Sequence, residues 1–399
     1  MKFLTTILFL TVLCNVLGQE SDSLMKAKVN SLIENYMESY RISGLSIGIV
    51  KDGSPYLVKG YGYTSTEMNY ETTENTLFHT ASITKVFTAT AIMQLVENKE
   101  ISLSDRVIDH LPDFQMKDKQ YQEITIEQLL THSSGLPWEH TFENKKDDTT
   151  ALRKFVMSLD KSKLNFPPGE KFDGSTYSNV AYNILGLIIE QKSGMTYTNY
   201  IREFILEPTG MSTSTFKHEN ISPEIKALPQ ILSGKSKEIK RFNLYGEVKD
   251  DNPVLKYLEN PIILSDTYGR ENEHDPNDGL ISSAQELSKW AMHLLEIYRD
   301  SLRETNAVLT TQTLKNMWSL KRSIKDKNTS LGICWWRYPD ENFGTYVFHV
   351  GREPGFSSIL MIFPEQNFSI TILCNAMYAD QLVWNTLPFE IMEILKMKK

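Results

Sequence analysis

From Ile83 to Val96 the chain is apolar nearly all round. Ile83, Val86, Phe87, Ala89, Ala91, Ile92, Met93, Leu95 and Val96 cover most sides of a helix, so other elements must enclose it. Enclosing the helix also fixes what stands at its start. Ser82 and Lys85 are three apart and share a helix face, and a lysine there is costly to bury as a cation. An amine desolvated enough to lose its proton near neutral pH serves as base toward the neighbouring hydroxyl. The S-x-x-K spacing alone is a weak signal, since a surface amine at a helix end has it too. Its weight depends on what accompanies it.

The surrounding pattern predicts an α/β (α+β) architecture. Leu24, Val29, Leu32, Ile33, Tyr36, Met37 and Tyr40 recur at helical spacing, and Leu45–Val50 and Tyr56–Tyr63 read as strands joined by a turn at Lys51-Asp52-Gly53-Ser54. Thr125 with Gln128 opens a short helix at Ile126. Helices follow over Ala151–Leu159, Val180–Lys192 (closed by Gly194) and Tyr197–Leu206 (stopped by Pro208). Residues 212–278 read as long connections with one short helix. Ser283 with Glu286 opens a helix to Tyr298, and strands follow at Gly332–Tyr338, Thr345–Val350, Ser357–Phe363 and Ser369–Cys374. A last helix covers Leu382–Met397. Short loops make these strands antiparallel. Strands at both ends imply one sheet made from about 20–80 and 280–399, with a largely helical insertion at about 81–279.

The formal net charge of −8 and a pI near 5.6 exclude nucleic acid and anionic membrane as the main partner. Residues 1–18 combine Lys2, a short apolar run and Gly18, which predicts a secretory signal peptide and leaves 19–399 as the exported domain. An uncleaved anchor is the alternative. Leu13 before Cys14 speaks against lipid attachment. Cys334 and Cys374 lie in apolar runs, and whether they bond stays open at this point. The N-x-S/T sites at Asn220, Asn328 and Asn367 matter chiefly in a eukaryotic host, and a periplasm and an extracellular space both remain possible.

Two further segments bear chemistry. Tyr177-Ser178-Asn179 precedes a helix. A tyrosine whose pKa is lowered by nearby cations relays protons, and an asparagine two residues on can bond a substrate amide and the lysine. The segment serves equally well as a helix N-cap. His349-Val350-Gly351 ends a strand, and glycine there lets a substrate lie along the strand edge with the Arg352 N–H donating. An ordinary hairpin has the same residues.

Taken together, Ser82-Ile83-Thr84-Lys85, Tyr177-Ser178-Asn179 and His349-Val350-Gly351 resemble the S-x-x-K, Y-x-N and K-T-G elements of the penicillin-recognising serine hydrolases. The branch they resemble holds the class C β-lactamases, DD-peptidases and related esterases. Leu129-Leu130-Thr131-His132-Ser133-Ser134-Gly135-Leu136, Pro208-Thr209-Gly210-Met211 and Gly279-Leu280-Ile281-Ser282-Ser283 are similar to other stretches of that family. The resemblance implies a β-lactamase/transpeptidase-like fold and an acyl-enzyme mechanism on an amide or ester of a small molecule or peptide. It implies that Ser82 attacks, Lys85 takes its proton, and Tyr177 serves the leaving group and then activates water. It also implies that the N–H groups of Ser82 and Arg352 form the oxyanion hole, with Asn179, His349 and Gly351 binding substrate and no metal or cofactor involved. His349 and Val350 depart from the Lys and Thr that hold a substrate carboxylate. His is a weaker, pH-dependent cation, which shifts the expectation from β-lactams toward esters, amides or aminopeptidase substrates.

Rival readings are fewer. Gly44-Leu45-Ser46-Ile47-Gly48 matches G-x-S-x-G, but its strand pattern runs on into a hairpin, so Ser46 reads as an ordinary strand residue. His132 reads as a structural histidine, and Glu273-His274-Asp275 as a solvated loop rather than a metal site. A non-catalytic binding protein of the same fold is the alternative to the enzyme.

Overall fold

The structure, a computed structural model, describes residues 22–142, 148–232, 261–263, 274–299, 307–325 and 327–397. The leader expected at 1–18 lies outside these. The helices are α1 (residues 22–40), α2 (Thr84–Glu97), α3 (Val107–His110), α4 (Ile126–Leu130), α5 (Ala151–Met157), α6 (Asn179–Ser193), α7 (Tyr197–Ile201), α8 (Asp275–Asp278), α9 (Ala284–Tyr298), α10 (Thr311–Met317) and α11 (Leu387–Ile394). An antiparallel sheet takes the order β2 (Ser54–Gly62), β1 (Gly44–Lys51), β12 (Phe368–Cys374), β11 (Phe356–Phe363), β10 (Gly344–Glu353), β9 (Trp336–Asp340), β8 (Ser330–Leu331) and β7 (Arg322–Ser323). Two short pairs, β3 (Phe78–His79) with β6 (Ile281–Ser282) and β4 (Gln230–Leu232) with β5 (Pro261–Ile263), stand apart from it.

The β1–β2 turn has Asp52 at φ 53° and Gly53 at φ 72°, the left-handed pair that a tight hairpin needs. β1 also pairs with β12, which joins the two ends of the chain in one sheet. Ile47 and Ile49 enter the core beneath α1 and α11. A bulge between Ile49 and Val50 turns Val50 to the opposite core, beside α2 and α9. β11 divides the same way, with Ile359, Met361 and Phe363 on one face and Leu360 and Ile362 on the other. Both faces of the sheet are therefore covered by helices.

Helix α2 is enclosed as its composition requires. Thr84 through Met93 are all buried, and Phe87 stacks on Trp290 of α9 at 4.8 Å. The strand expected from Gly332 begins only at Trp336, because Cys334 has φ 69° and breaks the extended run. Cys334 and Cys374 are free thiols lying in the two separate cores.

The expected long connection over 212–278 holds one short helix in its described part, but that helix is no loop in solvent. Asp275, Pro276 and Asn277 of α8 are buried, and Thr88 of α2 donates to the Pro276 carbonyl at 2.6 Å. Gly186 of α6 makes room for it: a Cβ there would lie 2.2 Å from Pro276. The solvated reading of Glu273-His274-Asp275 is corrected for Asp275, and Glu273 is outside the described residues.

Candidate active site

Ser82 sits on a single helical turn, Ala81–Ile83, that leads into α2. The turn is entered through Ala81 at φ 51°, a left-handed conformation for a residue with a Cβ, costing about 1–2 kcal/mol. Several bonds hold it there. The Ala81 N–H donates to His79 Nδ1 (3.1 Å), the Thr80 hydroxyl to the Leu280 carbonyl (2.8 Å), and the Thr84 hydroxyl to the Ala81 carbonyl (2.7 Å). Ser358 on β11 donates to the Thr80 carbonyl at 2.9 Å, tying the sheet to the turn.

Lys85, fully buried, donates from Nζ to Ser82 Oγ at 2.9 Å and to the Asn277 carbonyl at 2.8 Å. Burial pushes its pKa down to about 8, against the opposing fields of Asp278, Cys334, Glu353 and Glu139. The expected bond from Lys85 to the Asn179 side chain is absent. The α8 carbonyl takes that place, while Asn179 Nδ2 reaches Glu139 at 3.4 Å and its Oδ1 has no partner. Asn277 carried no signal in the sequence, because a backbone carbonyl leaves no trace in residue type.

Tyr177 is brought to the same spot, hydrogen-bonded to Ser82, with Lys85 Nζ 5.1 Å from its ring centre. Both readings of its segment hold at once. Ser178 caps α6, accepting from the Ala181 N–H at 3.1 Å, and that cap presents Tyr177 to the serine. The expected lowering of its pKa is overturned: burial outweighs the Ser82 bond and pushes the phenol well above its usual range. His132 is structural, as expected, but at the site. Its ring stacks on Tyr177 at 4.1 Å, and its Nδ1 accepts the Ser178 N–H at 3.2 Å.

The strand edge forms the other wall. Pairing of β10 with β9 stops at Phe348, so the edge from His349 onward faces the serine turn. Gly351 permits the approach, since a Cβ there would lie 2.2 Å from the Thr80 carbonyl. His349 is buried, with Nδ1 bonded to the Val350 carbonyl at 2.9 Å. Burial and Lys85 push its pKa down to about 3, so the pH-dependent cation expected there is a neutral imidazole. The Arg352 guanidinium turns to Asp380 at 2.9 Å, leaving its backbone to the strand edge. Ser46 lies apart on β1, buried, with Oγ 3.2 Å from the Thr73 carbonyl.

The β-lactamase family model matches residues 29–391. Protein flp of Staphylococcus aureus (strain MW2) is 31% identical over 366 residues, covering 89% of this chain and 64% of that protein. The chain thus spans under two thirds of the curated relatives it matches first. Penicillin-binding protein 4* of Bacillus subtilis (strain 168) is 26% identical over 353 residues, 87% of this chain and 71% of that one. The octameric penicillin-binding protein homologue from Pyrococcus abyssi superimposes with a TM-score of 0.72 at 26% identity, covering 93% of this chain and 77% of its own. A class C β-lactamase does so at 0.70 and 19% identity, over 93% and 96%, a likeness of fold. With sheet, serine helix and tyrosine segment all inside the matched span, this chain belongs to the β-lactamase family.

Proposed function

We propose that the protein is an exported serine hydrolase that acts through an acyl-enzyme on an amide or ester. The 2.9 Å contact between Ser82 Oγ and a fully buried Lys85 amine carries this reading. With a pKa of about 8, a useful fraction of that amine is neutral at physiological pH and takes the serine proton as Oγ attacks the carbonyl. Tyr177, kept protonated by burial, is a neutral relay that passes a proton to the leaving group. Lys85, rather than a tyrosinate, then activates the water that frees the acyl group. The N–H groups of Ser82 and Arg352 hold the developing oxyanion, each worth about 3 kcal/mol. Gly351 lets the acyl part lie along β10, and Asn179 holds its amide.

Relatives named as penicillin-binding proteins and β-lactamases support the chemistry. The neutral His349 and the Val350 side chain weigh against a substrate carboxylate there, and favour esters, amides or aminopeptidase substrates. The test is labelling with a fluorophosphonate probe. Covalent labelling at Ser82 that is lost in Ser82→Ala and Lys85→Ala is the expected result, whereas a folded protein that no electrophile labels is a binding protein. Export rests on residues 1–18, and is tested by whether secreted protein begins at Gln19.

A further inference from the structure

Beside Asn179 lies a cavity of about 370 Å³ lined by Glu139, Asp278, Glu353, Asn183 and Asn277 among others. Three carboxylates line it and, among the described residues, no lysine or arginine does. The same three act on the Lys85 amine, so the cavity adjoins the reacting pair. Cations that might offset them are turned elsewhere: the Arg352 guanidinium to Asp380, the Lys85 amine to Ser82 and the Asn277 carbonyl.

A separate observation points to a donor. Asn277 lines the cavity and is only 1% exposed. Its Nδ2 donates to Asn183 Oδ1 at 2.8 Å, yet its Oδ1 has no hydrogen-bond partner. Buried acceptors are rarely left so. Carboxylates beside an unmatched acceptor suit a group with several N–H donors and a positive charge. The strand edge agrees, since His349-Val350 supplies neither the cation nor the hydroxyl that holds a carboxylate in the resembling enzymes.

Resting on the hydrolase reading above, we propose that this cavity receives a primary ammonium group on the acyl part of the substrate, so that the enzyme selects aminoacyl amides or esters over carboxylate-bearing ones. In the amide reaction, Ser82 Oγ forms a bond to the acyl carbon, the C–N bond breaks and the leaving amine takes the serine proton. Water then cleaves the acyl–serine ester to release the free amino acid.

The test compares three p-nitroanilides: alanyl in both enantiomers, the isosteric but uncharged isobutyryl, and the anionic succinyl. For at least one enantiomer, the expected kcat/KM exceeds that of isobutyryl by tenfold or more, with succinyl slowest. Glu139→Gln and Glu353→Gln, checked for unchanged thermal melting, each lower the alanyl-to-isobutyryl ratio several-fold. Equal turnover of the three, or a ratio unmoved by both substitutions, overturns the charge preference while leaving the hydrolase intact. Failure of Ser82 to take a fluorophosphonate overturns both.

Discussion

Lys85 and His349 are both sealed from water within one site, yet they end in opposite conditions. Burial lowers both, Lys85 to about 8 and His349 to about 3. Against that burial Lys85 has the fields of Asp278, Glu353 and Glu139, whereas His349 has Lys85 itself, which adds to the lowering. Burial alone does not make a catalytic base. The sign of the neighbours decides whether a buried group rests near working pH or is silenced.

The sharpest way to break this comparison is to remove the lysine. Lys85→Met is expected to cut kcat/KM by at least about 10³-fold, since general-base assistance is lost. Stability should respond differently. The folded pKa of Lys85 lies below its unfolded value, so its burial destabilises the fold most below about pH 8, and less as pH rises toward 10.5. Removing it at pH 7 should therefore leave the unfolding free energy at or above wild type, offset partly by the unpaired Asn277 carbonyl. A loss of several kcal/mol in chemical denaturation would mark the lysine as structural. Tyr177→Phe comes next, with an expected loss of about 10²-fold in kcat and little change in KM. A fall in KM alone would remove the relay role.

These two residues also measure how far the sequence could be read. The Ser82–Lys85 pair is local, fixed by helical spacing, and the β1–β2 hairpin, the Thr125 and Ser283 caps and the union of both chain ends in one sheet follow from equally short-range patterns. What stayed hidden acts at long range. The Asn277 carbonyl reaches Lys85 from 192 positions away, Ala81 takes a strained conformation that no alanine announces, and His349 looks ionisable until its burial is known. The Tyr177 pKa was misjudged for the same reason: proximity to a cation was legible, and the extent of desolvation was not.

The finest test concerns the shape of the pH profile. If Lys85 alone sets the reactive fraction, kcat/KM rises about tenfold per pH unit below 8 and levels above it. His349→Gln should not move that midpoint, because the imidazole is already neutral above about pH 3 and exchanging one neutral group for another leaves the field at Lys85 unchanged. His349→Lys should move it: an added ammonium close to Lys85 disfavours its protonated form, and the midpoint shifts acidward by roughly half a unit or more. A midpoint that shifts in the Gln variant would mean that His349 carries charge at working pH, and the contrast between the two buried groups would be lost. A midpoint that stays fixed in the Lys variant would mean that position 349 lies outside the field of the base, and that the strand edge acts on substrate alone.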